Sequence, residues 1–200
     1  MLLFALGGCA SMSSEECLTA DWRAIGYEDG AQGQNPDYFG ERRKACAEHG
    51  VTANFDAYLV GRAEGLAHFC RPPNGYRLGV RGYNYSGVCP VELEDAFLAA
   101  HADGYGLYER HAALKNIRKR LHRSKRRADE IEYLLVETTA LLVSPDVEVT
   151  ERAAIAVEFK QLTEEKIEVE NSIDQLEYDH AMAEREYEDY RSRVANQYGG

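Results

Sequence analysis

The residues of this 200-residue chain that could do chemistry are few and unevenly placed: five cysteines within the first ninety positions, and one stretch where tyrosine is interleaved with arginine. Cys9 closes the run Leu6-Gly7-Gly8-Cys9 and is followed by Ala10 and Ser11. Small residues before a cysteine make a lipobox, where a bacterial lipoprotein is cleaved and acylated on the cysteine that becomes its first residue. Cys9 is therefore the expected lipidation site. The apolar stretch before it is short for a signal segment and carries no Lys or Arg, so a start codon further upstream is expected. A chance LGGC in a cytosolic protein is the alternative. Ala10 and Ser11, where inner-membrane lipoproteins of enteric bacteria carry aspartate, point to the outer membrane. Cys17, Cys46, Cys70 and Cys89 remain, an even number with no Cys-x-x-Cys or Cys/His spacing suited to zinc. In an oxidising compartment they form two disulfides. Three connectivities are open, and the sequential one, Cys17 with Cys46 and Cys70 with Cys89, is preferred. Each closed loop would contribute about 3 kcal/mol in the chain-entropy account.

The second candidate is the stretch from Arg71 to Gly87, rich in proline, glycine and tyrosine. Its composition predicts an ordered loop rather than a helix, held by the flanking cysteines. Tyr76, Arg77, Arg81, Tyr83 and Tyr85 form its most site-like surface, since aromatics with arginine stack on sugar rings or grip a partner protein. The same residues could equally be the packing of a small stapled domain. Nothing else suggests catalysis. No Gly-x-Ser-x-Gly, Ser-x-x-Lys, His-Glu-x-x-His or phosphate-binding glycine loop occurs, and the six histidines are scattered. The expectation is a non-enzyme without catalytic residues, metal or cofactor. A net charge of −11 argues against a nucleic-acid partner.

The elements that must position these residues are helical. Leu114, Ile117, Leu121, Ser124, Ala128, Ile131, Leu135, Thr138 and Leu142 alternate by three and four, and so do Ile155, Phe159, Leu162, Lys166, Val169, Ile173, Leu176, His180 and Ala183 through Val194. Two such seams separated by Ser144-Pro145-Asp146 predict an antiparallel coiled-coil hairpin, with Pro145 ending the first helix and Asp146 capping the second. A turn near residue 145 sets residue i opposite roughly residue 290 − i. That rule lays the basic run Lys115–Arg127 along the acidic span Glu164–Glu177, puts His180 opposite His111, and seats Tyr187 and Tyr190 on Ala100 and Gly104. Upstream, an acid, a small residue, an acid and a glycine recur three times: Asp21…Gly26…Asp29-Gly30, Asp56…Gly61…Glu64-Gly65 and Asp95…Ala100…Asp103-Gly104. Small residues four apart lie on one helix face and let backbones approach closely. The competing reading gathers the three acids around a ligand or cation.

Cys17…Asp21-Trp22…Gly26…Asp29-Gly30, Tyr58-x-x-Gly61-Arg62-x-x-Gly65-Leu66…Cys70, Asn74-Gly75-Tyr76-Arg77-x-Gly79 and Tyr85-x-Gly87-Val88-Cys89-Pro90 together resemble an uncharacterised proteobacterial family of predicted lipoproteins, domain of unknown function 2799, over roughly residues 9–110. The resemblance implies an exported, lipid-anchored envelope protein. The expected organisation is a truncated lipoprotein signal with lipobox (1–9), a tether (10–16), a mainly α, disulfide-stapled domain with a Gly/Tyr-rich loop (17–106), and a long antiparallel coiled-coil hairpin (107–198). The function expected is an outer-membrane-anchored, periplasm-facing adaptor. Its partners would be the membrane through the lipid and an envelope protein or peptidoglycan, with homo-oligomers through the coiled coil also allowed. The alternative is a cell-wall glycan-binding module or enzyme acting through the 71–87 loop.

Overall fold

The computed structural model describes residues 12–198, so Cys9 and its lipobox lie outside the described residues. All regular structure among those residues is helical: α1 (Ser14–Thr19), α2 (Trp22–Ala31), α3 (Asp37–Glu48), α4 (Phe55–Phe69), α5 (Pro72–Val80), α6 (Val91–Val143) and α7 (Val149–Tyr198). They divide into two compact units, one made of residues up to 108 with those from 194, the other of residues 109–193.

Local chemistry starts each short helix of the first unit. Ser13 and Glu16 form a reciprocal capping box on α1. The Asp21 carboxylate accepts from the Arg23 and Ala24 N–H groups at 3.0 Å to open α2, and the Asn54 side chain accepts from the Ala57 N–H to open α4. Pro72 and Pro73 occupy the first turn of α5, where their missing N–H groups cost nothing. The stretch expected to be a loop is therefore a helix over half its length. Proline and glycine there are a helix start and a packing face rather than turn chemistry.

That packing face repeats. Gly26 and Gly30 of α2 meet Gly61 and Gly65 of α4, each so close that an added Cβ would overlap a backbone carbonyl of the facing helix. The third copy of the repeat has its own partner. Gly104 of α6 abuts the Tyr76 carbonyl on α5, while Gly75 and Gly79 of α5 abut the carbonyls of Phe97 and His101. Gly75 and Gly79 are thus a fourth small pair with the same four-residue spacing. Close helix packing explains the repeat, and the acids do not converge. Asp21 caps α2, Asp29 pairs with Arg42, Glu64 pairs with Arg23, and Asp103 accepts from the Tyr198 hydroxyl. No group of three or more potential metal ligands occurs among the described residues.

Two small cores flank these seams, each with its own disulfide. Cys17–Cys46 sits with Trp22, Phe39 and Tyr58, and Cys70–Cys89 with Leu66, Phe69 and Phe97. The pairing is the sequential one.

The second unit is the antiparallel hairpin. Leu114 and Ile131 of α6 and Ile155, Leu162 and Leu176 of α7 are buried. Thr138, a polar residue on the seam, is buried because its hydroxyl donates to the Leu134 carbonyl at 2.8 Å. Charges align as expected in kind. Arg127 grips Glu165 with two 2.7 Å hydrogen bonds, and Lys125 reaches Glu177 at 2.6 Å. These bonds hold the Glu165 carboxyl below its ordinary pKa and raise that of the Arg127 guanidinium. The register differs from the simple rule. Arg110 pairs with Glu186, and the His111 ring faces Tyr187 at 5.8 Å rather than His180, which contacts Glu184 instead.

The turn accounts for only part of that shift. α7 begins at Val149 rather than just after Asp146, and the intervening residues lengthen the connection. Asp146 lies three residues before α7, and the side chain that organises the turn is Arg152. Its guanidinium donates to the carbonyls of Leu142, Ser144 and Val147, closing the end of α6. Tyr190 lies under the Arg110 guanidinium at 4.0 Å, Tyr187 lies against His111, and Gly104 is occupied by α5.

Candidate functional site

The five residues singled out around the 71–87 stretch separate into two groups. Tyr76 and Arg77 lie on α5. The Tyr76 ring stacks on Tyr198 at 4.9 Å, and Arg77 donates to the Asn74 side chain. Arg81, Tyr83 and Tyr85 follow the end of α5 and line a cavity of about 290 Å³. Its other walls come from Gln32 and Gly33 after α2, Phe69 at the end of α4, Leu78 on α5, and Asn84, Ser86 and Val88. Sequence reading missed these because Gln32 and Gly33 arrive from a segment nearly forty residues distant, and only the fold brings them to the loop.

The segment that carries these residues is held at many points. The Tyr83 N–H donates to the Leu78 carbonyl at 3.1 Å, and the Tyr83 carbonyl accepts from His101 Nε2 at 2.7 Å, which places the proton of that imidazole on Nε2. Gly82 has φ of 73° and lies against the Tyr108 ring, so neither the backbone angle nor the space there suits a side chain. The Tyr85 hydroxyl donates to Glu94 at 2.8 Å and accepts from the Cys89 N–H at 2.7 Å, and its ring leans on Phe97. Burial, partly offset by the Cys89 N–H, raises the Tyr85 phenol above its ordinary pKa. Tyr85 is therefore a wall of the cavity whose hydroxyl is already committed.

Other side chains on this rim are not. Arg81, Tyr83, Asn84 and Ser86 are exposed, and none of their side chains has a hydrogen bond or ion pair among the described residues. Tyr83 keeps 60 % of its surface in solvent. Phe69, Leu78 and Val88 make an apolar floor. At its edge Gly33, with φ of 66°, presses its backbone on the Phe69 ring, where a Cβ would overlap.

A second polar constellation is buried and structural. Asp29, 4 % exposed, accepts from Arg42 at 2.5 Å and from the Tyr58 hydroxyl at 3.1 Å. Burial first, and then the Asp29 charge, push the Tyr58 phenol up to about 12. Arg62 lies within electrostatic reach of Tyr58, and its Nη1 has no hydrogen-bond partner among the described residues.

Residues 21–106 match the family described as protein of unknown function (DUF2799). The matched segment contains both glycine seams and the whole cavity, while the hairpin beyond residue 108 lies outside it. No curated protein and no solved structure matches the chain.

Proposed function

We propose that this protein is a lipid-anchored component of the outer membrane, facing the periplasm, whose helical hairpin serves as an adaptor surface for another envelope protein. The observation that carries the reading is the contrast along the hairpin. Its seam is buried, yet Val136, Val143, Val149 and Val157 around the turn keep between 57 % and 80 % of their surface in solvent. Lysine and arginine crowd α6 from Lys115 to Arg127, whereas Arg152, bonded to backbone carbonyls, is the one basic residue from 133 to 157. An end that sets exposed valines among the acids Glu137, Asp146, Glu148 and Glu151, with the turn held by Arg152, is suited to contact with protein, because little ordering cost remains to be met on binding. Two disulfides favour an oxidising compartment. No helix among the described residues is long and apolar enough to cross a membrane, so the proposed attachment is the acylated Cys9.

Two substitutions test the two halves of the proposal. Cys9→Ser should move the protein from the outer-membrane fraction to the soluble periplasmic fraction. Val143→Glu with Val149→Glu should abolish site-specific cross-links formed by photoreactive residues at positions 136 and 157, while circular dichroism stays that of the parent. Cross-links that survive the glutamates would remove the turn from the interface, and membrane retention without Cys9 would remove the lipid.

A further inference from the structure

We propose that the cavity beside the Cys70–Cys89 loop binds a single N-acetylated amino sugar bearing a carboxylate, a site separate from the hairpin surface. Size, charge and unused chemistry all point the same way. At about 290 Å³ the cavity lies at the lower end of the range for small-molecule sites, which suits one sugar ring with its substituents rather than an extended chain. Its lining contains one arginine and no aspartate or glutamate, in a chain whose net charge is −11. An anion entering here meets the Arg81 guanidinium with no carboxylate on the wall to oppose it.

The remaining groups fit the other parts of such a molecule. Tyr83 presents an exposed ring to which the apolar face of a pyranose can stack. Phe69, Leu78 and Val88 offer a floor for the methyl of an acetamido group. Asn84 carries an amide with no partner among the described residues, and amide to amide pairing would satisfy both its donor and its acceptor. These side chains sit on a backbone fixed by the disulfide, by His101 on the Tyr83 carbonyl, and by Tyr85 on Glu94 and Cys89. A rigid backbone displaying unpaired polar groups over an apolar floor is what a preorganised binding site requires. Packing of a stapled domain would account for Tyr85, whose hydroxyl is used internally, but it leaves Arg81, Tyr83 and Asn84 without a role.

The test is a titration of the whole 15N-labelled chain, followed by amide chemical shifts, with N-acetylmuramic acid, N-acetylglucosamine and glucose. Saturable shifts confined to the cavity lining, at residues 32–33, 69, 78 and 81–88, are expected. N-acetylmuramic acid should bind about tenfold more tightly than N-acetylglucosamine, the effect of one charge-assisted hydrogen bond. Arg81→Met should erase that difference, Tyr83→Ala should weaken both amino sugars, and Arg77→Met, outside the cavity, should change neither. The parent amide spectrum outside the loop verifies that each variant is folded. Absence of saturable shifts, equal response to glucose, or an N-acetylmuramic acid preference that survives Arg81→Met would overturn the assignment.

Discussion

Replacing Gly61 by alanine sets two effects of opposite sign against each other. In a helix free of neighbours the change favours folding by about 1 kcal/mol, because alanine is the better helix former. In α4 the new Cβ would overlap the Arg23 carbonyl oxygen of α2 and stand 2.9 Å from the Tyr27 backbone nitrogen. Those atoms are helix backbone, so relief comes only by pushing α2 away, which also opens the contacts at Gly26, Gly30 and Gly65. Overpacking costs about 1–3 kcal/mol where side chains can yield, and here the rigid neighbour puts the cost at the upper end of that range. The net expectation is a loss of about 2 kcal/mol. Gly40 supplies the control. It lies within α3, and a Cβ there meets nothing within 4 Å, so Gly40→Ala should gain about 0.5–1 kcal/mol from propensity alone. Trp22 is the single tryptophan, 6 % exposed and edge-on to Phe39, so its fluorescence during urea denaturation reports on this unit. The midpoint should fall for Gly61→Ala and rise for Gly40→Ala, with the slope unchanged. A Gly61→Ala protein as stable as the parent would refute the claim that backbone contact, rather than helix propensity, selects glycine there.

The remaining predictions concern one buried acid and one capping base. The Tyr58 phenol, pushed up to about 12, holds its proton in the folded state after an unfolded tyrosine has lost its own. Its contribution is therefore intact below about pH 10 and disappears as pH rises through about 12, a loss of about 2–3 kcal/mol that Tyr58→Phe should remove from the stability profile. Absorbance at 295 nm should show one tyrosine titrating after the rest, and its absence would contradict the burial argument. Arg152→Met strips the donors from the carbonyls of Leu142, Ser144 and Val147. The hairpin should lose about 1–2 kcal/mol, the scale of partly solvated charge-assisted hydrogen bonds, and amide exchange should accelerate first around residues 144–152.

Helix periodicity made the hairpin legible, because a seam of alternating three and four steps has few other uses over so many residues. The sequential disulfides were legible for similarly local reasons. Register was harder. The proline at 145 ends α6 as local sterics require, but α7 begins only at Val149, across a turn that Arg152 bridges to three carbonyls, which no short-range pattern specifies. The α5 helix was hidden by its composition. Pro72, Pro73, Gly75 and Gly79 weigh as turn formers singly, and become a helix only when α6 covers the glycine face. Of the candidate surface, Arg81, Tyr83 and Tyr85 share a cavity, whereas Tyr76 points instead to Tyr198, a residue 122 positions away and beyond the reach of any local pattern.

The glycine seams and the disulfides of the first unit answer one physical problem between them. Helices that touch backbone to backbone gain many close contacts but remove little apolar side-chain surface from water, so the hydrophobic term per residue is small. The two cores that remain are correspondingly slight, five buried residues in each. Two of the five in each core are the disulfide cysteines themselves. Each bridge restricts the unfolded chain by about 3 kcal/mol, a sum comparable with the whole stability of many small domains. The same stapling makes the cavity rim rigid without a large core beneath it. Cys89 closes the loop and also donates its N–H to Tyr85, so the bond that stabilises the unit and the wall of the candidate site are one piece of chain.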